Sequence, residues 1–158
     1  MKSFLFTILA FILLAGTINA QTKKDPEAAL KQGKKEAEAL VKKAITYYRS
    51  VGKDKALFEM SDPKGKFVSG DMYVTVYDLT GKCLAHGANL KMVGKDWSEL
   101  KDADGKAFIR ERLEMVKSQA TGWQTYKWTN PVTKQIEPKT TYVEKAEDVI
   151  FAGGTYKK

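Results

Sequence analysis

The stretch DMYVTVYDLTGKCLAHGA, residues 71–88, has the pattern of two antiparallel strands joined by a turn. Its first half is rich in β-branched and aromatic residues, and LTGK supplies the turn before CLAHGA. Alternation along the second half places Leu84 and His86 on one face of the strand and Cys83 and Ala85 on the other. We therefore predict a β-hairpin in which Cys83 and His86 point in opposite directions.

The elements on either side of this hairpin predict a domain of the α+β class. Upstream, a single apolar stripe indicates a helix of some 26 residues that begins after Asp25 and stops at Gly52, and a shorter helix follows at 54–60. Downstream, KAFIRERLEMVKSQ predicts a crossover helix, and WQTYKWT, KTTYVEK and VIFAGGTY predict three more strands. Five strands with successive hairpins indicate one antiparallel sheet with helices packed on it.

Residues 1–20 have the order of a secretory signal peptide, with a positive charge at Lys2, an apolar run, and small residues ending in Ala20. The run is about a dozen residues long, short of the roughly 20 that a transmembrane helix needs. We predict cleavage after Ala20 and export to the periplasm, with an uncleaved N-terminal anchor as the alternative. Removing 20 of the 158 residues leaves 138, enough for one domain with a core.

The charge pattern argues against a nucleic-acid partner. The net charge of +8 falls to +7 when Lys2 is removed, and much of it lies in KQGKKEAEALVKK, where glutamates are interspersed. No basic run is interleaved with aromatic residues that would stack on bases. We interpret the surplus as solubility and mild attraction for anions.

Four segments resemble the single-Cache extracellular sensor domains: the hairpin Y-D-x-x-G…A-H-G, the connection V-G-K-D…L-K-D-x-D-G-K, the block G-W…Y-K-W…N-P…P-K…Y-V, and a closing G-x-Y. The resemblance implies a PAS-like five-stranded antiparallel sheet behind a long N-terminal helix. It also implies a small-ligand pocket between the sheet and the crossover segment. We assign residues 1–20 to the signal peptide, 21–37 to the N-terminal part of the long helix and 38–158 to a single Cache domain.

The resemblance also implies a function. Such domains usually form the periplasmic half of chemoreceptors and histidine kinases, and this subtype frequently binds small organic acids such as acetate, propionate, pyruvate or lactate. The given sequence ends at Lys158, two residues past the last predicted strand. We therefore expect a free-standing periplasmic form, whose occupied state is read by a separate membrane receptor, kinase or transporter.

Three candidate ligand-binding residues lie on the predicted strands with side chains suited to a pocket. His86 offers a hydrogen-bonding group, unless it is a satisfied structural histidine. Tyr126 and Trp128 share one face of a strand, and their large apolar surfaces with one polar atom each suit the walls of a pocket for a short-chain acid. The alternative for both aromatic residues is ordinary core packing.

Three further candidates would contact the charge of the acid. Lys139 follows a proline, and the resemblance implies that it binds a carboxylate as a point charge, although most lysines are solvated. Tyr142 would offer a hydroxyl to the same anion, but alternation puts it on the opposite face unless Lys139 precedes the regular strand. Arg110, at the edge of the crossover helix, is either a second cation for the anion or a solvated charge.

The sequence holds no motif for catalysis and too few ligands for a metal. There is no Ser or Cys nucleophile with a plausible base, no phosphate-binding glycine loop and no recognisable carboxylate pair. A metal needs several converging ligands, so we expect no metal or cofactor and interpret Cys83 as a small buried hydrophobic residue. Two other hypotheses stay open: a non-catalytic interaction or scaffold protein that dimerises through its long helix, and a haem- or redox-sensing PAS-like domain.

Overall fold

Helix α1, Pro26–Val51, opens the part of the chain that the computed structural model describes, residues 25–156. The Asp25 carboxylate caps it by accepting a hydrogen bond from the backbone N–H of Glu27 at 3.0 Å. Gly52, with a φ of 83°, ends it in a conformation that glycine adopts without strain. The predicted long helix is therefore confirmed, whereas the predicted signal peptide lies outside the described residues.

The sheet contains the five predicted strands and one short strand that the sequence did not reveal. The strands are β1 (Val68–Ser69), β2 (Met72–Asp78), β3 (Cys83–His86), β4 (Thr121–Thr129), β5 (Ile136–Ala146) and β6 (Val149–Tyr156). All pairings are antiparallel, in the order β1–β2–β6–β5–β4, and β3 also pairs with β2. The predicted α+β class is confirmed, and β1 went unpredicted because two residues are too few to show alternation.

Helix α1 covers one face of the sheet. Its residues Val41, Ala44 and Tyr48 pack with Val74 and Phe151 of the strands in a cluster that is almost completely buried. A Cβ on Gly153 would lie 2.9 Å from a methyl group of Val41, so glycine is what lets α1 lie close to β6. Helix α2, Lys53–Met60, extends the same layer.

The opposite face is covered by the crossover between β3 and β4. This segment contains a short 3₁₀ helix, Leu90–Met92, and helix α3, Phe108–Ser118. Phe108 and Ile109 of α3 pack against Tyr77 and Tyr126 of the sheet. The crossover and the sheet together enclose a small cavity. No helix within residues 25–156 has the length and apolar character needed to cross a membrane.

Candidate ligand-binding site

A small cavity lies between the crossover segment and the face of the sheet that α1 leaves uncovered. Its free volume is about 10 Å³, roughly the minimum for one water molecule. Four residues predicted from the sequence line it, namely His86, Tyr126, Trp128 and Lys139. Tyr126 and Lys139 are register partners on β4 and β5, so the sheet itself brings these two side chains together.

Lys139 is a buried cation, with 2% of its surface exposed. Its ammonium nitrogen lies 3.6 Å from the ring centre of Tyr73 and 4.9 Å from that of Tyr156. None of the ion pairs found within residues 25–156 includes Lys139. Burial lowers the pKa of Lys139 well below 10.5, and the charge of Arg112 lowers it further, while Asp71 acts in the opposite direction. The side chain is therefore placed to gain from an anion in the cavity.

His86 is held in one tautomer by the loop that follows it. Its Nδ1 accepts hydrogen bonds from the backbone N–H groups of Ala88 and Asn89, at 3.2 and 3.1 Å. Burial lowers the pKa of His86 to about 3, with a smaller contribution from the charge of Lys139. The imidazole is therefore neutral near pH 7, and its single proton sits on Nε2. His86 thus presents a hydrogen-bond donor, not a charge.

Aromatic rings form the apolar wall of the cavity. Phe108 of α3 stacks on Tyr126 with the ring centres 4.1 Å apart and an interplanar angle of 3°. Trp128 meets Phe108 edge-on at 5.3 Å. His86 stacks on Tyr73 at 4.9 Å on another side. These rings surround the polar groups with apolar surface, which strengthens any electrostatic interaction made there.

Sequence reasoning missed the residues that β2, α3 and β5 contribute. Tyr73, Thr75 and Tyr77 line the cavity from alternate positions of β2, and Phe108 and Thr141 line it from α3 and β5. The signal for the β2 residues was present, since every second residue of YVTVY carries a hydroxyl on a strand that is otherwise aliphatic. Such a period of two marks one polar face of a strand.

Arg112 is the buried cation of the crossover helix, with 1% of its surface exposed. It lies behind Tyr126, and its guanidinium carbon is 5.8 Å from the Tyr126 ring centre. Its spacing of three residues from Ile109 and four from Val116 puts it on the apolar stripe of α3, which was the available signal.

Two predicted site residues lie away from the cavity. Tyr142 is on the α1 face of the sheet, where its hydroxyl donates to Glu144 at 2.9 Å. Lys139 lies inside the regular strand β5, so alternation separates it from Tyr142. Arg110 is on the solvent side of α3 and pairs with Glu99. We therefore leave Tyr142 and Arg110 out of the site.

The prediction that Cys83 and His86 point in opposite directions is wrong. Val76 pairs with Ala85 and Tyr77 with Cys83, so Leu84 is an extra residue in β3. This bulge reverses the alternation, and Cys83 packs with Tyr77, which lines the cavity together with His86. Within residues 25–156 no group of three or more His, Cys, Asp or Glu residues is positioned to hold a metal ion.

Two characterised proteins have sequences similar to part of this chain. The methyl-accepting chemotaxis protein McpP of Pseudomonas putida is 32% identical over 88 residues, which are 54% of this chain and 16% of McpP. The sensor histidine kinase MctS of Rhizobium johnstonii is 33% identical over 85 residues, 54% of this chain and 18% of the kinase. The chain thus spans less than a fifth of the length of either relative.

Solved structures show the same fold. A Cache chemosensory domain described in terms of carboxylic acid recognition superposes with a TM-score of 0.71 and 26% identity, over 85% of this chain and 100% of that domain. A methyl-accepting chemotaxis protein from Vibrio parahaemolyticus gives a TM-score of 0.70 and 22% identity, over 84% of this chain and 93% of the other. The family model of single Cache domain 2 matches residues 17–156. The resemblance seen in the sequence is therefore confirmed, and the chain belongs to the single Cache domain 2 family of sensor domains.

Proposed function

We propose that this domain is a non-catalytic sensor that binds a small monocarboxylic acid in the cavity beside Lys139. The observation that carries the proposal is the charge of the site. Lys139 lines the cavity, Arg112 lies directly behind it, and both are buried. No Asp or Glu is among the residues that line the cavity within the described chain. Buried charges are costly unless they are paired, and an acid anion supplies the missing charge.

The polar groups of the cavity match the hydrogen-bonding character of a carboxylate. An ionised carboxylate only accepts hydrogen bonds, whereas the Lys139 ammonium and the Nε2–H of His86 only donate them. Thr75 and Thr141 also line the cavity, but their hydroxyl groups donate to the backbone carbonyl of Ala152 and to the Tyr126 hydroxyl. An α-amino acid fits poorly, because its ammonium group would lie near the charge of Lys139 and no carboxylate is among the described residues that line the cavity.

The apolar wall of the cavity suits an acid with two or three carbons. The rings of Phe108, Tyr126 and Trp128 would contact a methyl or ethyl group and exclude water. The free volume of about 10 Å³ is too small for such an acid, so binding requires the walls to separate. A neighbouring groove of about 260 Å³ shares Tyr73, His86 and Trp128 with the cavity.

The support from relatives is consistent with this ligand class. A domain with 26% identity was described in terms of carboxylic acid recognition, and the two characterised relatives are a chemotaxis protein and a histidine kinase. We propose that the occupied state of this domain is likewise read by a membrane receptor, kinase or transporter.

Cache domains are extracellular or periplasmic sensors, and we propose that this one lies in the periplasm after cleavage of residues 1–20 behind Ala20. In this proposal residues 21–37 form the N-terminal part of the long helix and residues 38–158 form the sensor domain. Cell fractionation followed by N-terminal sequencing tests the location, with Gln21 as the expected first residue.

Calorimetric titration of the purified protein tests the ligand. Acetate, propionate, pyruvate and lactate are compared with glycine and alanine, which match acetate and propionate in carbon number but carry an ammonium group. We expect saturable binding of at least one acid, no binding of either amino acid, and loss of binding in Lys139→Met.

Two outcomes would redirect the proposal. Binding that survives in Lys139→Met moves the anion away from this cavity. No binding of any acid, together with dimerisation that depends on protein concentration, supports the alternative of a non-catalytic scaffold that pairs through α1.

A further inference from the structure

We propose that Arg112 and Thr141 are positioning residues that turn the hydroxyl group of Tyr126 into a dedicated hydrogen-bond donor for the bound acid. The inference rests on the proposed function, because it concerns the same cavity. In addition, Arg112, the second buried cation, has a role that does not require contact with the ligand.

The hydroxyl oxygen of Tyr126 accepts hydrogen bonds from two side chains. Arg112 donates to the hydroxyl oxygen from Nη2 at 3.5 Å, and Thr141 donates to it from Oγ1 at 3.3 Å. A phenolic hydroxyl has one hydrogen and two lone pairs. Both lone pairs of the Tyr126 oxygen are therefore occupied. Because the Arg112 guanidinium cannot accept a hydrogen bond and Thr141 is the donor in its own contact, the hydroxyl hydrogen of Tyr126 points to neither residue. The remaining direction is the cavity, which Tyr126 lines.

A hydrogen-bond chain fixes the position of Arg112. Gln124 donates from Nε2 to the backbone carbonyl of Phe108 at 2.7 Å and to Glu111 at 3.3 Å. Its amide oxygen is therefore left to accept from Arg112, at 3.3 Å. The guanidinium carbon also stands 5.4 Å from the ring centre of Tyr77, within the range of a cation–π contact. Arg112 is thus held from two sides while it donates to Tyr126.

Arg112 does not itself reach the ligand space. It is absent from the residues that line the cavity within residues 25–156, and its Nε is a buried donor without a partner. Besides the effect of its charge on Lys139, Arg112 polarises the Tyr126 hydroxyl to which it donates. The ligand atom that meets Tyr126 must accordingly be an acceptor. The cavity then offers three donors to one carboxylate, from Lys139, His86 and Tyr126.

A double-mutant cycle on acid binding tests this inference. Acetate, propionate and pyruvate serve as probes, and the proteins are the wild type, Tyr126→Phe, Arg112→Met and the double variant. Each single substitution is expected to weaken binding about tenfold or more, the loss of one hydrogen bond to a charged group. The double variant is expected to bind no more weakly than Tyr126→Phe. Arg110→Met, on the solvent side of the same helix, is the matched control and leaves binding unchanged.

The outcomes separate this inference from the proposed function. If the two losses multiply in the double variant, Arg112 acts independently of Tyr126 and the inference is overturned, while acid binding stands. If no acid binds the wild type, the proposed function and this inference both fail. Should Arg112→Met not fold, Thr141→Val, which is nearly isosteric, takes its place in the cycle with the same expected coupling and the same contradicting result.

Discussion

The two faces of the central sheet are built from the same strands but bury very different side chains. Toward α1 the strands present aliphatic and aromatic groups such as Val74, Val76 and Phe151. Toward the crossover they also present buried polar groups. Most of the polar residues buried within residues 25–156 lie on that side: Thr75, His86, Arg112, Gln124, Lys139 and Thr141.

The apolar face of the sheet serves stability, whereas the polar face is suited to binding. Burial of apolar surface against α1 stabilises the fold. Buried cations and amides on the other face cost free energy unless each has a partner. None of the ion pairs found within residues 25–156 includes Lys139, and the Nε of Arg112 has no hydrogen-bond partner there. A face that lowers stability is typical of a binding site, because the ligand completes its interactions.

The largest effect is expected on the α1 face. Phe151 is fully buried and meets Tyr48 edge-on at 5.4 Å. Replacing Phe151 by Ala should lower the free energy of unfolding by about 3–5 kcal/mol, through lost burial and the cavity that remains. Guanidinium chloride unfolding measures the change, with Phe151→Leu as the milder control. Acid affinity of the folded variant should be unchanged, and a loss comparable to that of Lys139→Met would mean that the faces are not independent.

The next largest effect is expected at His86 on the cavity face, where burial makes the free energy of unfolding depend on pH. Because the pKa of His86 is about 3 in the folded protein and 6.5 when unperturbed, the unfolded chain binds the proton more tightly throughout that interval. The stability of the wild type therefore falls as pH drops below 6.5. His86→Asn keeps an acceptor for the backbone N–H groups of Ala88 and Asn89 but does not titrate.

Denaturant unfolding at pH 7 and pH 4.5 tests this prediction. The wild type should lose about 2.5 kcal/mol more than His86→Asn over that interval. Equal losses in the two proteins would show that His86 is not buried in its neutral form.

A smaller effect of opposite sign is expected at Lys139. Replacing this buried ammonium by Met should raise the free energy of unfolding by about 1–2 kcal/mol at pH 7 in a buffer without carboxylates. The gain should shrink as pH rises toward 10.5, because the wild-type lysine loses its proton in the folded state first. Thermal unfolding over a pH series measures both trends. A variant that is less stable than the wild type would indicate that Lys139 supports the fold.

The smallest effect is expected at Tyr142. Its hydroxyl donates to the partly exposed Glu144 on the α1 face, so Tyr142→Phe should cost below about 1 kcal/mol, since water can replace the lost partner. Titration with acetate, propionate and pyruvate should show unchanged affinity. Weaker binding would contradict the assignment of Tyr142 to the face away from the cavity.

Much of the fold was predictable because its signals are local. The apolar stripe and caps of α1, the alternation in β4 and β5, and the turn residues between strands each depend on a few neighbouring positions. The same alternation put Tyr126 and Trp128 on one face, and the structure brings both to the cavity. Alternation also predicted that Lys139 and Tyr142 lie on opposite faces of a regular strand, and in the structure they do.

Three features depended on packing between distant segments. Arg112, two residues beyond Arg110, is turned by about 200° around the helix axis, so the docking of α3 decides which arginine is buried. The extra residue Leu84 reverses the direction of Cys83 through its pairing with β2. The tautomer of His86 is set by the loop at Ala88 and Asn89.

The order of helices and strands, the α+β class and the membership in the Cache family follow from the sequence, because periodicity, caps and motif spacing are written along the chain. The tertiary structure decided which face of the sheet encloses the cavity and which arginine of α3 lies behind it. It also decided to which residues that arginine donates hydrogen bonds. These properties depend on burial and on contacts between segments far apart in sequence, and neither can be read from neighbouring residues alone.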